Sequence, residues 1–215
     1  RGQAKVINLG LFYGMGKAKL EAELGVSKDK AKELFDIYHS KVPFVKQLTN
    51  KLMTAAQRNG KIKTILNRKC RFPKYEPVLK GNDWGKYIPP QDHERMLELQ
   101  AMGPHMKDEE GEFIIDKDGN KQKNYWHEND SRRAFTYKAL NKLIQGSAAD
   151  MTKKAMLELY KEGIIPHIQI HDELDISVES DEKADKIKTV MEHAVDLQIP
   201  NKVDYESGPN WGEIK

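Results

Sequence analysis

The chain has 215 residues, enough for one large or two small domains with a proper hydrophobic core. No run approaches the roughly 18 to 20 apolar residues of a spanning helix, and the first residues lack the order of a signal peptide, so no membrane partner is expected. Cys70 is the single cysteine, which rules out a disulfide framework and a CxxC zinc site and fits a reducing, cytoplasmic setting. The net charge of +3 hides an asymmetry: residues 1–80 hold 18 Lys and Arg against 6 Asp and Glu, and residues 81–215 hold 18 against 27. A basic half of this kind is either a set of solvated helix faces or a phosphate-contacting surface.

In chain order, RGQAKVINLGLFYGMG opens the sequence with Arg1, Lys5, Leu9 and Tyr13 four residues apart. On an α-helix these form one stripe over roughly 18 Å, with two cations at one end and an aromatic ring followed by Gly14 at the other. A nucleoside triphosphate laid along the helix fits that spacing; an ordinary amphipathic helix with snorkelling cations fits it too. Gly25 then breaks the pattern, and Ser27 is placed to cap a helix over roughly 28–40. Pro43 suits the first turn of the next helix, whose Val45, Leu48, Leu52 and Ala55 form a buried face before Gly60 stops it. KIKTIL behind Gly60 reads as a short strand running into Arg68, Lys69 and Arg71.

From about 74 to 130 the sequence reads as an insertion, with Pro89-Pro90, the acidic run DEEGE and a small hairpin around Asp118-Gly119. A long helical segment is expected from about Arg132 to Glu162, with Tyr137, Asn141 and Gln145 on one face. Such amides can bond the acceptors common to every base pair in a duplex minor groove, or simply cap neighbouring backbone. The small residues GSAAD at 146–150 would let this helix approach another backbone closely, and Gly163 ends it. IPHIQI and ELDISV then read as two strands joined at His171-Asp172, followed by an amphipathic helix over 181–198 and a last strand, KVDYE.

Adjacent carboxylates at a strand connection, Asp172 and Glu173, are suited to holding a hard divalent cation whose shell is completed by water and substrate phosphates; a polar turn is the plainer alternative. His171 beside them could donate to a phosphate or a terminal hydroxyl. A zinc site using His167 and His171 is disfavoured, since four residues along a strand span about 13 Å.

Taken together and in this order, these segments resemble the C-terminal half of family A DNA polymerases, the group containing bacterial DNA polymerase I and the T7-like phage replicases. The opening is similar to the family's motif B, with Arg1 and Lys5 on its triphosphate-binding cations, Leu9 where the family has Phe or Tyr, and Tyr13-Gly14 on its YG pair. GKIKTILNRKCRFP is similar to the TLxGRRRxLP segment, with Thr64 and Arg68 matching and Asn67 standing where Gly is usual. NKLIQGSAADMTKKAM resembles the palm helix whose Asn141 and Gln145 positions follow the primer-template minor groove. There Tyr137 replaces an Arg or His, as in a phage-type branch. IQIHDELDISV resembles motif C, and ESGPNW the family's terminus.

The resemblance implies an α/β (α+β) fragment of the right-hand polymerase fold: helical fingers over 1–62, a connecting strand, basic segment and insertion over 63–131, and a partial palm with a small antiparallel sheet over 132–215. It implies DNA synthesis from dNTPs on primer-template DNA by two-metal phosphoryl transfer, using two Mg2+ ions in the complete enzyme. His171, Asp172 and Glu173 would be catalytic, with Asp172 and Glu173 on the metal. Nucleotide contacts fall to Arg1, Lys5, Leu9, Tyr13 and Gly14, and DNA contacts to Thr64, Arg68, Tyr137, Asn141, Gln145 and His171. Motif A is absent, so a second catalytic aspartate is expected upstream of residue 1, in the same or a separate polypeptide, and the chain alone should barely extend a primer. Single-subunit RNA polymerases, which share the RxxxK frame, and a noncatalytic nucleic-acid-binding fragment are the competing readings.

Overall fold

The structure, a computed structural model, describes residues 2–213, with side chains from Ile7 onward. Seven α-helices and six short strands fall into two compact units among the described residues. One comprises Arg1–Lys63 with Lys69–Lys142, the other Thr64–Arg68 with Leu143–Lys215.

The first unit begins with α1 (Gly2–Phe12), α2 (Lys17–Leu24), α3 (Lys28–Lys41) and α4 (Pro43–Asn59). Their limits follow from local chemistry. α1 ends one residue before Tyr13, and Gly14 sits at φ +84° while its amide bonds Leu11 O (3.1 Å) and the Met15 amide bonds Gly10 O (2.8 Å). This is the paired six-to-one and five-to-two pattern of a Schellman cap, which needs a left-handed residue at that position. Tyr13 is therefore the cap residue and not the last residue of the helical stripe. No atom lies within 4 Å of a Cβ built on Gly14, so Gly14→Ala meets only the backbone penalty. Thermal or denaturant unfolding should show a loss of about 1 kcal/mol.

Ser27 caps α3 by accepting the Lys30 amide (3.3 Å), as expected, and Pro43 occupies the first turn of α4. Val45 and Ala56 of α4 are buried and Leu48, Leu52 and Ala55 partly so, while Gly60 closes the helix at φ +66°. KIKTIL forms a strand only over β1 (Lys61–Lys63), paired antiparallel with β2 (Lys69–Arg71), and buries Ile62.

The 74–130 region has its own core. Besides β3 (Tyr75–Pro77) it contains α5 (His93–Ala101), capped by Asp92, whose Met96 and Leu99 pack with the buried Trp126. Asn124 is 3 % exposed and works as a staple: its amide donates to Leu99 O (2.6 Å) and Gly103 O (2.7 Å), and its carbonyl accepts from the Trp126 amide (3.0 Å). The turn around Asp118-Gly119 forms, with Gly119 at φ +82° and a bridge between Ile115 and Lys121.

The helix expected from Arg132 starts later. Ser131–Arg133 is instead a strand, β4, antiparallel to β3 with Arg132 bonded to Glu76 (2.8 Å). Gln57 of α4 fixes it there: its side-chain amide accepts the Arg133 amide (2.9 Å) and donates to Arg133 O (2.8 Å), as a neighbouring strand would. A single 3₁₀ turn over Thr136–Lys138 follows, so Tyr137 precedes α6 (Ala139–Lys161), which carries Asn141 and Gln145.

In the second unit, Gly163 (φ +74°) ends α6 and the Ile164 amide returns to Leu159 O (2.9 Å). The strands β5 (Ile168–Ile170) and β6 (Glu173–Asp175) form the anticipated hairpin, and α7 (Asp181–Glu192) is capped by Ser180. α7 stops six residues short of the expected end. Leu159, Ile164 and Ile187 make a buried core, against which Leu174 of β6, Ile176 just beyond it, and Val190 and Met191 of α7 pack. KVDYE is not a strand. The Val203 amide goes to the Glu192 carboxylate (3.1 Å), which Lys202 also contacts (3.1 Å), so a side chain takes the bond a ladder would need. Those bonds hold the Glu192 carboxyl below the usual range, the Val203 amide contributing most.

Candidate metal centre and nucleic-acid interface

The hairpin joins Ile170 directly opposite Glu173, which leaves His171 and Asp172 as a two-residue connection. His171 has φ +54° and Asp172 does not share the positive sign, the φ pattern of a type II′ turn. Glycine is the ordinary residue at that first position; a histidine there is a backbone cost of the kind concentrated at functional sites. The turn is braced by Gln169, whose amide donates to the His171 carbonyl (3.0 Å).

His171, Asp172 and Glu173 are all exposed. Among the described residues neither the Asp172 nor the Glu173 carboxylate has a hydrogen bond or an ion pair. Because β6 alternates, Leu174 turns into the core while Glu173 lies on the other face. Two unpaired carboxylates on a rigid, open tip suit a Mg2+ ion, which takes one or two protein carboxylates and keeps the rest of its octahedron for water and phosphate. No group of three or more His, Cys, Asp or Glu that could hold a metal occurs among the described residues. His167 Nε2 lies 3.1 Å from Ser177 Oγ.

The loop Thr64–Arg68 is the second feature of this unit. Asn67 has φ +64°, a conformation in which Asn is among the best-tolerated residues after Gly, which accounts physically for Asn where the family segment carries Gly. The loop is bonded across itself, Thr64 amide to Arg68 O (3.0 Å) and Asn67 amide to Thr64 O (2.9 Å). It is also bonded to α6. Arg68 donates through Nη2 to Gly146 O (2.8 Å), and the Ile65 amide donates to Ser147 Oγ (3.1 Å). Asp150 is 5 % exposed; it accepts the Thr64 hydroxyl on one oxygen and Arg68 Nε on the other (2.5 Å). The small residues of GSAAD thus admit another backbone, as their size implied.

Burial alone would raise the Asp150 carboxyl, but the hydrogen bonds from Thr64 and Arg68 outweigh it and hold the pKa below the ordinary value. A carboxyl depressed in the folded state adds stability above its unfolded pKa. That contribution is lost as pH falls through the lowered value. Asp150 was not singled out as a site residue from sequence; the one signal was its place at the end of a small-residue run.

The remaining candidates lie as follows. Arg1 is outside the described residues, and Lys5 lies in α1 with its side chain outside them. Leu9 is exposed, and Tyr13 is half-buried edge-on to Phe12 (5.5 Å). Thr64 is buried under its loop, whereas Arg68 keeps 46 % of its side chain exposed. Tyr137 is 62 % exposed, Gln145 exposed and Asn141 half-buried.

The family model described as DNA polymerase family A matches residues 1–213, and the chain belongs to that family. A DNA-directed DNA polymerase of Pseudomonas phage M6 is 29% identical over 246 residues, spanning 99% of this chain and 29% of the phage protein. DNA polymerase I of Geobacillus stearothermophilus is 28% identical over 225 residues, covering all of this chain and 20% of that enzyme. The chain therefore spans less than a third of the length of these relatives. Among solved structures, the polymerase domain of Pol1 from M. smegmatis, in complex with DNA primer-template and dNTP, is similar in fold (TM-score 0.58, 22% identity) over 92% of this chain and 28% of that one. This agrees with the mixed α and β fragment expected from sequence. No described helix is long and apolar enough to cross a membrane.

Proposed function

We propose that these residues form the fingers and part of the palm of a template-directed DNA polymerase that adds dNTPs to a primer. The observation that carries the proposal is the pair of unpaired carboxylates at the tip of the β5–β6 hairpin, in a chain whose family match runs almost end to end. When bound, a divalent ion at Asp172 and Glu173 supplies charge neutralisation for phosphoryl transfer.

The chain's own residues do the rest. Asp172 and Glu173 provide oxygen ligands whose positions are set by the hairpin, and His171 offers a ring donor to a phosphate or primer terminus. Arg1 and Lys5 bind the triphosphate, with Leu9, Tyr13 and Gly14 toward sugar and base. Arg68, Tyr137, Asn141 and Gln145 contact the duplex, while Thr64 serves that contact from beneath its loop. The family order of motifs over the basic half supports the nucleotide and DNA assignments, and the phage M6 relative supports a phage-type enzyme.

Two-metal chemistry needs carboxylates clamping both ions, and the hairpin provides one such group. Activity thus requires a second aspartate from motif A, on polypeptide beyond these residues. The test is primer extension by the chain mixed with a polypeptide carrying motif A. Mg2+-dependent incorporation of deoxynucleotides by the mixture, and at most a trace by either component, is the expected result. Preferential incorporation of ribonucleotides would favour the RNA polymerase reading. No incorporation in any mixture would leave a nucleic-acid-binding fragment as the better account.

A further inference from the structure

We propose that Asp150 is a positioning residue for nucleic-acid contact: it sets the shape of the Thr64–Arg68 loop and aims the Arg68 guanidinium. The proposal rests on the DNA-binding reading above. Three observations in the second unit carry it.

Asp150 is 5 % exposed, and both of its oxygens are used on the same loop. A buried carboxylate kept for bulk stability alone is a poor device, since an apolar replacement of such pairs is often neutral or better. What the arrangement provides is geometry. The Thr64 hydroxyl that donates to Asp150 also accepts the Arg68 amide (3.1 Å), so one carboxylate fixes the backbone at both ends of the loop as well as the Arg68 side chain. The second observation is the Arg68 fork. Nε is held by Asp150 and Nη2 by Gly146 O, which fixes the plane of the guanidinium while nearly half of the side chain stays exposed. A guanidinium fixed in plane loses little entropy on meeting a phosphate or a base edge.

The third observation is what the loop exposes. Ile65 and Leu66 at its tip are 45 % and 42 % exposed, apolar side chains left in water on a segment held by seven hydrogen bonds. Exposed β-branched and leucine side chains on a rigid turn beside a fixed cation suit a sugar edge in a duplex groove, where apolar contact and one phosphate bond act together.

The test is a double-mutant cycle on the 215-residue chain, read as affinity for a primer-template duplex by fluorescence anisotropy. Asp150→Asn keeps the shape and removes the charge; Arg68→Ala removes the group it is said to aim. Asp150→Asn is expected to weaken binding about tenfold in the Arg68 background and less than about twofold in the Arg68→Ala background. Hydrogen exchange of the Arg68 amide should speed up about tenfold in Asp150→Asn and in Thr64→Val, with the amides of α3 unchanged. Equal losses of affinity in both backgrounds, or an unaltered Arg68 amide, would overturn the proposal. If the unmodified chain binds no duplex, the function reading fails, and the exchange of the Arg68 amide alone then decides whether Asp150 shapes the loop.

Discussion

Asp172→Ala is expected to lower primer extension by the reconstituted polymerase about 10³-fold while leaving duplex affinity and thermal stability close to those of the unmodified protein. The magnitude follows from the several kcal/mol of transition-state charge stabilisation that a metal supplies, since about 4 kcal/mol corresponds to three decades in rate. The sparing of stability follows from the structure. Asp172 is exposed on a two-residue turn, has no partner among the described residues, and contributes nothing to the Leu159 core below. Rates measured at saturating primer-template and dNTP, together with an unfolding curve, check both halves. Retention of more than a tenth of the rate would remove Asp172 from the chemistry, and a collapse of the unfolding midpoint would show that the turn had been serving the fold.

Leu159→Ala is expected to act in the opposite way, through the fold. Leu159 is fully buried at the end of α6 and shares a core with Ile164 and Ile187, against which Leu174 of β6 and Ile176 just beyond it pack. Removing its branched end takes away burial and leaves a cavity, a loss of about 3 kcal/mol. β5 and β6 are each only three residues long, so the sheet has few bonds of its own with which to resist. The amides of Ile168–Ile170 and Glu173–Asp175 should therefore lose most of their exchange protection, while α3 and α4 keep theirs. Denaturant unfolding and amide exchange measure this; a loss below about 1 kcal/mol would mean that the hairpin is held by something other than this core.

The sequence was most legible where local chemistry decides the outcome. Ser27, Pro43, Gly60 and Gly163 mark helix ends by capping or φ requirements that act over four residues, and the structure places helix limits at each. The β5–β6 connection was legible for a similar reason, since two apolar β-type runs with two polar residues between them leave few registers. Where a distant partner decides, the local pattern misleads. Arg132 and Arg133 have ordinary helix propensity, and it is Tyr75–Pro77 and the Gln57 amide that make them a strand. KVDYE has strand composition, yet Glu192 takes its amide.

The candidate site divides along the same line. Asp172 and Glu173 were visible because a two-carboxylate turn after an apolar strand is a local pattern. Asp150 was not, because its role comes from Thr64 and Arg68, more than eighty residues away in sequence. The 74–130 region hid its core for a further reason. Asn124 lies in a polar, turn-like tract, and only the backbone carbonyls of Leu99 and Gly103 turn it into a buried staple.

The most direct measurement of the central claim is a Mn2+ titration of the chain followed by paramagnetic broadening of its backbone amides. A metal site at the hairpin tip predicts that broadening begins at His171, Asp172 and Glu173 and disappears in Asp172→Ala. Broadening that begins instead in the acidic run Asp108–Glu112, with the hairpin tip unaffected until that run is saturated, would contradict it.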